Sequence, residues 1–434
     1  MTTKKSIIKQ LYGLSMVLCL ALGINHTAFA QDPVQIAPTV AFNQYKGTVV
    51  NSSNNAPLVF ASLTVNGTNI STITNSEGEF ALKIPKTLTA GKITVSFLGF
   101  KTKVLDIQDL KEEKTKIKLE TSVTELSEVN ISVPKNAREL VRKTLKNRGT
   151  NYVNDPTVMT AFYRETIKKR RTNVSLSEAV VNIYKQPYTY SRKDAVKLYK
   201  ARKSTNYKKL DTVALKLQGG PFSTLYLDIM KYPEYVFTED MLEYYTFSFG
   251  RTTSINNQPV YVVNFKQLET LNEPLYYGTL YINPENYVLT SAIYHLNLEN
   301  EKLASAAFVK KKPRDVTVIP TEASYRVDYR NKNGKWHYGY GNVQLEFKVN
   351  WRKKLFNSRY KLSCEMAITD WETNTENNYL KPRERLRPTV IIGDEASGFS
   401  DPEFWGEYNV IEPEKSIEAA IKKIQRKLKK IKDS

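Results

Sequence analysis

Short runs of alternating apolar and polar residues fill positions 44–133, and this pattern predicts a small β-sandwich. In the run LVFASLTVNG, Val59, Ala61, Leu63 and Val65 share one face, because successive side chains of a strand point to opposite sides. Turn residues separate about six or seven such runs at intervals of roughly ten residues. Within this region, the sequence TITNSEGEFALKIP predicts a hairpin that turns at NSEG.

Longer patterns follow in residues 135–412, where a helix signal precedes a series of antiparallel strands. Asn136 is a suitable cap for a helix that places Leu140, Val141 and Leu145 on one face. Three hairpins are predicted after it, with turns at residues 256–257, 283–286 and 333–334. The predicted fold is therefore mainly β: an immunoglobulin-like β-sandwich, followed by an α+β domain in which a curved antiparallel sheet wraps on helices.

The last residues, 416–434, predict a basic amphipathic helix. Its apolar residues recur every three or four positions and are Ile417, Ile421, Ile424, Leu428 and Ile431. Three interpretations stay open: the helix lies on an anionic membrane, it pairs as a short coiled coil, or it docks its apolar stripe on the body of the protein.

Residues 1–30 have the pattern of a secretory signal peptide, with Lys4, Lys5 and Lys9 before an apolar run and Ala28-Phe29-Ala30 at its end. We expect export across the inner membrane, with a periplasmic or outer-membrane-associated location. The remaining sequence has no apolar run long enough for a membrane-spanning helix. After the signal, Cys364 is the one cysteine, so an intrachain disulfide is excluded.

Charge narrows the choice of partner. The chain has 64 Lys and Arg residues against 44 Asp and Glu, a net charge of +20. An exported basic protein rarely meets nucleic acid, so we expect an envelope protein, an anionic lipid or an acidic glycan as the partner. Solvated lysines of a basic proteome explain the same excess.

Residues 44–133 resemble the carboxypeptidase regulatory-like domain, a transthyretin-like β-sandwich. The matching positions are Gly47, Thr48, Val49, Pro57, Ala61, Val65, Gly67, Thr68, Thr72, Thr74, Asn75, Glu77, Gly78, Glu79, Phe80 and residues 95–100. The resemblance implies an accessory domain of an exported protein of the Bacteroidota cell envelope. Zinc-peptidase chemistry is not expected, because neither His295 nor His337 has H-x-x-E spacing around it.

Two further resemblances concern the rest of the chain. Residues 124–134, TELSEVNISVP, are similar to the segment that links such a sandwich to the plug of TonB-dependent transporters; a last edge strand of the sandwich is the alternative interpretation. Residues 278–282 with Val288 and Leu289 resemble the strand pairs of LolA-like half-barrel proteins. That second resemblance implies a concave sheet face that holds acyl chains.

No motif for a catalytic, cofactor or metal site is present: the sequence lacks G-x-S-x-G, a Walker loop, H-E-x-x-H and C-x-x-C. Binding residues are predicted from the abundant tyrosines and from basic clusters at residues 168–171 and 310–312. The candidates are Tyr244, Tyr276, Tyr338, Tyr340, Lys168 and Arg170. Ordinary half-buried tyrosines and edge strands protected by lysine account for the same pattern.

The sequence therefore predicts a non-catalytic, exported binding or assembly protein of the cell envelope. Lipid or lipoprotein carriage on the curved sheet is one alternative. A carbohydrate-active enzyme is the other, and it would need two acidic side chains in a cleft.

Overall fold

The structure is a computed structural model, and it describes most of the chain after residue 40. The described residues are 41–122, 136–170, 172–205, 218–255, 257–309, 314–352, 355–375, 379–396, 404–414 and 417. The predicted signal peptide, the 124–134 segment, the basic cluster at 310–312 and all of the C-terminal helix except Ile417 lie outside these residues.

Seven strands form two packed sheets at the start of the described chain. The strands are β1 (Phe42–Asn51), β2 (Ser62–Val65), β3 (Ser71–Ile73), β4 (Glu79–Pro85), β5 (Lys92–Ser96), β6 (Lys103–Asp106) and β7 (Thr115–Leu119). One sheet has the order β4-β1-β7 and the other β3-β2-β5-β6. Alternate residues of both sheets, among them Val49, Leu63, Phe80, Leu82 and Val95, are fully buried between them. We call this unit the sandwich, and its fold confirms the sequence prediction.

The predicted hairpin at TITNSEGEFALKIP is wrong. Strand β3 pairs with β2, whereas β4 pairs with β1 in the other sheet. The turn itself is present, since Gly78 has a φ of +72° and its N–H donates to Asn75 O at 3.0 Å. It connects the two sheets, and Phe80 and Leu82 of β4 are buried in the core between them.

The rest of the described chain is one large antiparallel sheet with a few helices. The helices are α1 (Ala137–Lys146), α2 (Arg148–Asn151), α3 (Phe222–Leu225), α4 (Glu301–Phe308) and α5 (Ile392–Glu395). Asn136 caps α1 as predicted, accepting from the N–H groups of Arg138 and Glu139, and Leu140, Val141 and Leu145 are buried.

The large sheet has eleven strands and is curved and entirely antiparallel. They are β8 (Thr157–Lys169), β9 (Thr172–Lys185), β10 (Ala195–Thr205), β11 (Tyr245–Phe249), β12 (Thr253–Ile255), β13 (Gln258–Gln267), β14 (Tyr276–Ile282), β15 (Leu289–Leu296), β16 (Val316–Lys332), β17 (Lys335–Trp351) and β18 (Ser358–Thr373). Their order is β10-β9-β8-β18-β17-β16-β15-β14-β13-β11, and β12 pairs with β13.

One face of the large sheet is covered by α1 and by residues 219–244, and we call it the helix face. Phe222, Leu225, Met230 and Phe237 of that segment are at most 3 % exposed. They pack with Tyr163, Val181, Val263, Tyr294, Tyr338 and Met366 of the sheet. The apolar surface of this face is thus occupied by the chain itself.

The opposite face, which we call the sandwich face, carries Phe162, Val180, Tyr340 and Ala367 against Ile73 of the sandwich. Trp405 and Ile411 of the C-terminal segment pack in the same cluster. Alternation along each strand separates the two faces, so Phe162 and Tyr163 belong to different clusters although they are neighbours in sequence. In the part of the chain that the structure describes, no helix has the length and apolar character needed to cross a bilayer.

Candidate functional site

The sandwich is attached to the sandwich face by packing and by hydrogen bonds. The Phe60 ring lies 5.2 Å from the Tyr340 ring, centroid to centroid. Gly99 N donates to Ser254 O at 2.8 Å, which ties the sandwich to the β12 hairpin. Thr102 N also donates to the side chain of Asn257, at 2.7 Å. These contacts hold the segment before β2 and the loop after β5 against the large sheet.

A cavity of about 470 Å³ lies between the sandwich and β16, and we call it the interdomain cleft. Its sandwich wall presents small polar groups, which are Ser62, Thr64, Asn66, Thr94 and Ser96. Its sheet wall presents charged and aromatic groups, which are Arg326, Asp328, Arg330, Lys332, Tyr340 and Trp371. A concave site that combines aromatic rings with a few convergent polar groups is the usual form of a binding site.

Arg330 is the distinctive residue of the interdomain cleft. Its Nη1 donates to the Ser71 hydroxyl and, at 3.1 Å, to Ile368 O. Its Nη2 is shielded from solvent and has no hydrogen-bond partner among the described residues. Burial lowers the pKa of Arg330 to about 10. Gly339 opposite makes room for the side chain, because a Cβ there would lie 2.8 Å from Arg330 Cγ.

The other charges of the cleft leave it net positive. Arg326 Nε donates to Asp328 Oδ2 at 2.8 Å, and the Ser291 hydroxyl donates to Asp328 Oδ1 at 2.5 Å. Asp328 therefore forms an ion pair with Arg326, while Lys332 contacts the side-chain oxygen of Asn69. Three cations thus face one carboxylate among the described lining residues. Such a site favours an anionic group that can accept from a guanidinium.

A second cavity, of about 250 Å³, lies beside it, and most of its charged lining residues form ion pairs, whereas Glu322 accepts from the Ser324 hydroxyl at 3.4 Å. Arg164 is 3 % exposed and contacts Glu178 at 2.7 Å and Glu365 at 3.3 Å. Glu178 also accepts from Arg202 at 2.8 Å, and Lys168 pairs with Glu414 at 2.8 Å. Burial raises the pKa of Glu365, although Arg164 opposes this shift. These groups satisfy one another and connect the sheet to the C-terminal segment.

A comparable charged cluster lies on the helix face. Lys185 Nζ lies 2.8 Å from Asp194 and 2.7 Å from Asp228, and all three side chains are at most 3 % exposed. Asp228 also accepts from the hydroxyls of Tyr188 and Tyr329, both at 3.0 Å. The cluster fixes residues 219–244 on the sheet.

The six candidate residues predicted from the sequence do not form one site. Tyr338 and Tyr340 lie on opposite faces, because Gly339 is an extra residue in the pairing of β17 with β16: Tyr338 pairs with Tyr329 and Tyr340 with Asp328. Tyr338 is fully buried and donates to Thr224 O at 3.0 Å, so it is a core residue. Tyr340 alone of the six lines the interdomain cleft.

The other four are spread over the large domain. Tyr244 is 47 % exposed at the end of a 3-10 turn (Asp240–Tyr244). Tyr276 packs edge-on against Tyr294 and lines a cavity of about 150 Å³ on the helix face. Lys168 lines the second cavity, and Arg170 is exposed in the turn after β8 with a φ of +54°.

Sequence reasoning missed Arg326, Asp328 and Arg330. Their signal is the segment YRVDYR, in which three charged residues alternate with the buried Val327 and Tyr329. Period-2 charges on a long central strand mark a polar stripe on one face of a sheet.

The two histidines of the large domain lie in strands, as predicted. His295 stacks on Tyr277 with the ring centroids 5.2 Å apart. His337 is buried against Trp371, and burial lowers its pKa to about 4. Among the described residues, no group of three or more His, Cys, Asp or Glu side chains is placed to hold a metal ion.

Comparison with known families identifies the sandwich. Residues 45–131, well under half of the chain, match the model of the CarboxypepD_reg-like domain. No curated protein sequence matches the chain.

Several solved structures are similar to more than half of the chain. They include a LolA superfamily protein from Nitrosomonas europaea, at 8 % identity, 59 % coverage of this chain, 100 % coverage of that chain and a TM-score of 0.20. A DUF1329 family protein from Desulfovibrio piger has 7 % identity, with 56 % and 96 % coverage and a TM-score of 0.26. MucB in complex with MucA has 9 % identity, with 55 % and 98 % coverage and a TM-score of 0.17.

Proposed function

We propose that this chain is a non-catalytic, exported binding protein of the cell envelope and that its ligand site is the interdomain cleft. One observation carries the proposal: Arg326, Arg330 and Lys332 line a cavity of about 470 Å³ in which Asp328 is the one carboxylate among the described lining residues. A bound anionic group would balance this excess of positive charge and accept hydrogen bonds from the guanidinium groups. Export rests on the signal-peptide pattern of residues 1–30.

The lining favours an acidic glycan as the ligand. Arg326, Arg330 and Lys332 supply donors for a carboxylate, and small exposed parts of Trp371 and Tyr340, which are 8 % and 2 % exposed, complete the sheet wall. The hydroxyl and amide groups of the sandwich wall can exchange hydrogen bonds with sugar hydroxyls. Because the two walls come from different domains, the sandwich contributes directly to the ligand site.

The charge arrangement supports a binding function without catalysis. Glycoside hydrolysis needs two carboxyl groups that flank the scissile bond. Among the described lining residues of the interdomain cleft, Asp328 is the one carboxylate, and it is held by Arg326 and Ser291. In the second cavity, Glu365 and Glu414 are paired with Arg164 and Lys168.

Acyl-chain carriage is less well supported. It needs an open apolar surface on the sheet, whereas Phe222, Leu225, Met230 and Phe237 already cover the helix face. A carried lipid would have to displace this segment, which the buried Lys185 cluster holds in place.

The proposal is tested by calorimetric titration of the purified chain with an oligogalacturonate and with a neutral malto-oligosaccharide of the same length. We expect binding of the acidic sugar only, weakened about tenfold or more by Arg326→Gln, since a charged hydrogen bond is worth about 1.5–3 kcal/mol. Arg383→Gln, at an exposed arginine outside the cleft, is the matched control. Equal affinity for both sugars, or equal effects of the two substitutions, would contradict the proposal.

A further inference from the structure

The turn between β17 and β18 exposes two large apolar side chains. Leu355 is 91 % exposed and Phe356 is 74 % exposed, the highest values for large hydrophobic residues in the described chain. Both lie between the end of β17 at Trp351 and the start of β18 at Ser358. Scattered single apolar residues on a surface are normal, but two adjacent ones at the tip of a hairpin form a wedge.

A second turn lies directly beside this wedge. Strand β8 pairs with β18, so that Lys169 lies opposite Tyr360, and Arg170 N donates to Arg359 O at 3.0 Å. On the other side, Arg352 N donates to Asp315 O at 2.9 Å. The β8–β9 turn, the β17–β18 turn and the start of β16 therefore share one end of the large sheet.

This end of the sheet is strongly basic. Its described residues 169–170, 314–317, 350–352 and 355–361 include six basic residues and one acidic residue. The basic ones are Lys169, Arg170, Arg314, Arg352, Arg359 and Lys361. Arg359 and Lys361 are 68 % and 60 % exposed even though both pair with Glu346, which is itself largely buried.

We propose that the Leu355-Phe356 wedge, with the basic residues around it, docks this protein on an anionic phospholipid bilayer. Leu355 and Phe356 enter the boundary between headgroups and acyl chains, and the surrounding Lys and Arg side chains contact lipid phosphates. A protruding tip suits this occupant, because a bilayer admits two side chains without offering a complementary pocket. A specific protein interface would need roughly 800 Å² on each partner, which a two-residue tip does not provide.

Vesicle co-sedimentation of the chain tests the proposal. The probes are vesicles of phosphatidylcholine alone and vesicles that also contain about one third phosphatidylglycerol, which supply the anionic surface. We expect the native chain to bind the anionic vesicles only. The double variant Leu355→Ser, Phe356→Ser removes two inserted apolar side chains, so its partition coefficient should be lower by about tenfold or more. Val104→Ser is the matched control, because Val104 is 51 % exposed on the sandwich edge strand β6. Thermal unfolding of each variant checks that it is folded.

Tryptophan fluorescence gives an independent measurement of insertion. The four native tryptophans, Trp336, Trp351, Trp371 and Trp405, are at most 8 % exposed, so iodide in solution will quench them little. In the variant Phe356→Trp, the indole at the exposed position 356 will be the tryptophan whose fluorescence iodide quenches. We expect anionic vesicles to shift its emission to the blue and to protect it from iodide.

Three results would overturn the proposal. The first is an absence of binding to anionic vesicles. The second is binding that high salt abolishes but that the double variant leaves unchanged, since contact would then be electrostatic and elsewhere on this basic chain. The third is lipid-independent self-association that the double variant removes, since the wedge would then be an interface between copies. None of these results bears on the interdomain cleft, whose test uses different residues and a soluble ligand.

Discussion

Two charged clusters on opposite faces of the large sheet differ in how their charges are balanced. In the helix-face cluster, Lys185 lies 2.8 Å from Asp194 and 2.7 Å from Asp228, and all three side chains are buried. In the interdomain cleft, Arg326, Arg330 and Lys332 have Asp328 as the one carboxylate among the described lining residues. Arg330 Nη2 has no hydrogen-bond partner among the described residues.

The difference indicates where binding can occur. A buried polar cluster whose groups satisfy one another stabilises one arrangement of the chain and has no unused charge or hydrogen-bonding group for a ligand. A cluster beside a cavity in which cations outnumber carboxylates can bind an anionic group. On this criterion, the Lys185 cluster is structural and the lining of the interdomain cleft is the candidate binding surface.

The largest expected effect comes from breaking the Lys185 cluster with Lys185→Met. Asp194 and Asp228 would remain buried without a cation, which costs about 3–5 kcal/mol of unfolding free energy. Urea unfolding measures this change, with Lys266→Met as the control. The control removes an exposed pair with Glu269 and should cost less than about 1 kcal/mol. Similar losses in both variants would show that the Lys185 cluster does not hold the helix face.

The next largest expected effect is the pH dependence of stability that Glu165 causes. Glu165 lies in the large sheet and accepts a hydrogen bond from the Tyr163 hydroxyl at 3.0 Å. Burial raises its pKa from 4.5 to about 7 in the folded protein. The folded state therefore keeps a proton that the unfolded state releases between these two pH values. The contribution of this proton to the free energy of unfolding is complete below pH 4.5. It falls as the pH rises to about 7, by up to about 1.4 kcal/mol per pH unit.

Glu165→Gln removes this titration, because an amide does not ionise. Urea unfolding at pH 5 and pH 7 should give a stability difference between the native chain and the variant that changes by about 2–3 kcal/mol. Glu269→Gln, at a side chain that is 87 % exposed, serves as the control. If the native chain and Glu165→Gln respond equally to pH, Glu165 does not carry the shifted pKa.

The smallest expected effect on stability is that of Arg330→Met, in the interdomain cleft. The variant loses hydrogen bonds to Ser71 and Ile368 but also removes a desolvated cation, so we expect a change of about 1 kcal/mol or less. The same substitution should weaken oligogalacturonate binding about tenfold or more. A stability loss as large as that of Lys185→Met would make Arg330 a structural residue and remove the contrast between the two clusters.

Local signals in the sequence predicted much of the fold correctly. Asn333 and Gly334 turn the β16–β17 hairpin with φ values of +52° and +79°, as a two-residue turn of this kind requires. Asn136 caps α1, and the alternation in β8 and β16 assigns their residues to faces. The position of the candidate site was not predicted, because its two walls come from segments more than two hundred residues apart in the sequence.

The sequence by itself determined where strands form and where most hairpins turn. It also determined which side chains share a face along a regular strand. These features depend on neighbours within a few positions. Only the tertiary structure decided that β3 and β4 belong to different sheets and that Gly339 places Tyr338 and Tyr340 on opposite faces. It also decided that residues 219–244 fill the helix face and that the sandwich closes a cavity over Arg330. Those outcomes depend on which distant surfaces pack together, and burial and hydrogen bonding select that packing only when the whole chain is folded.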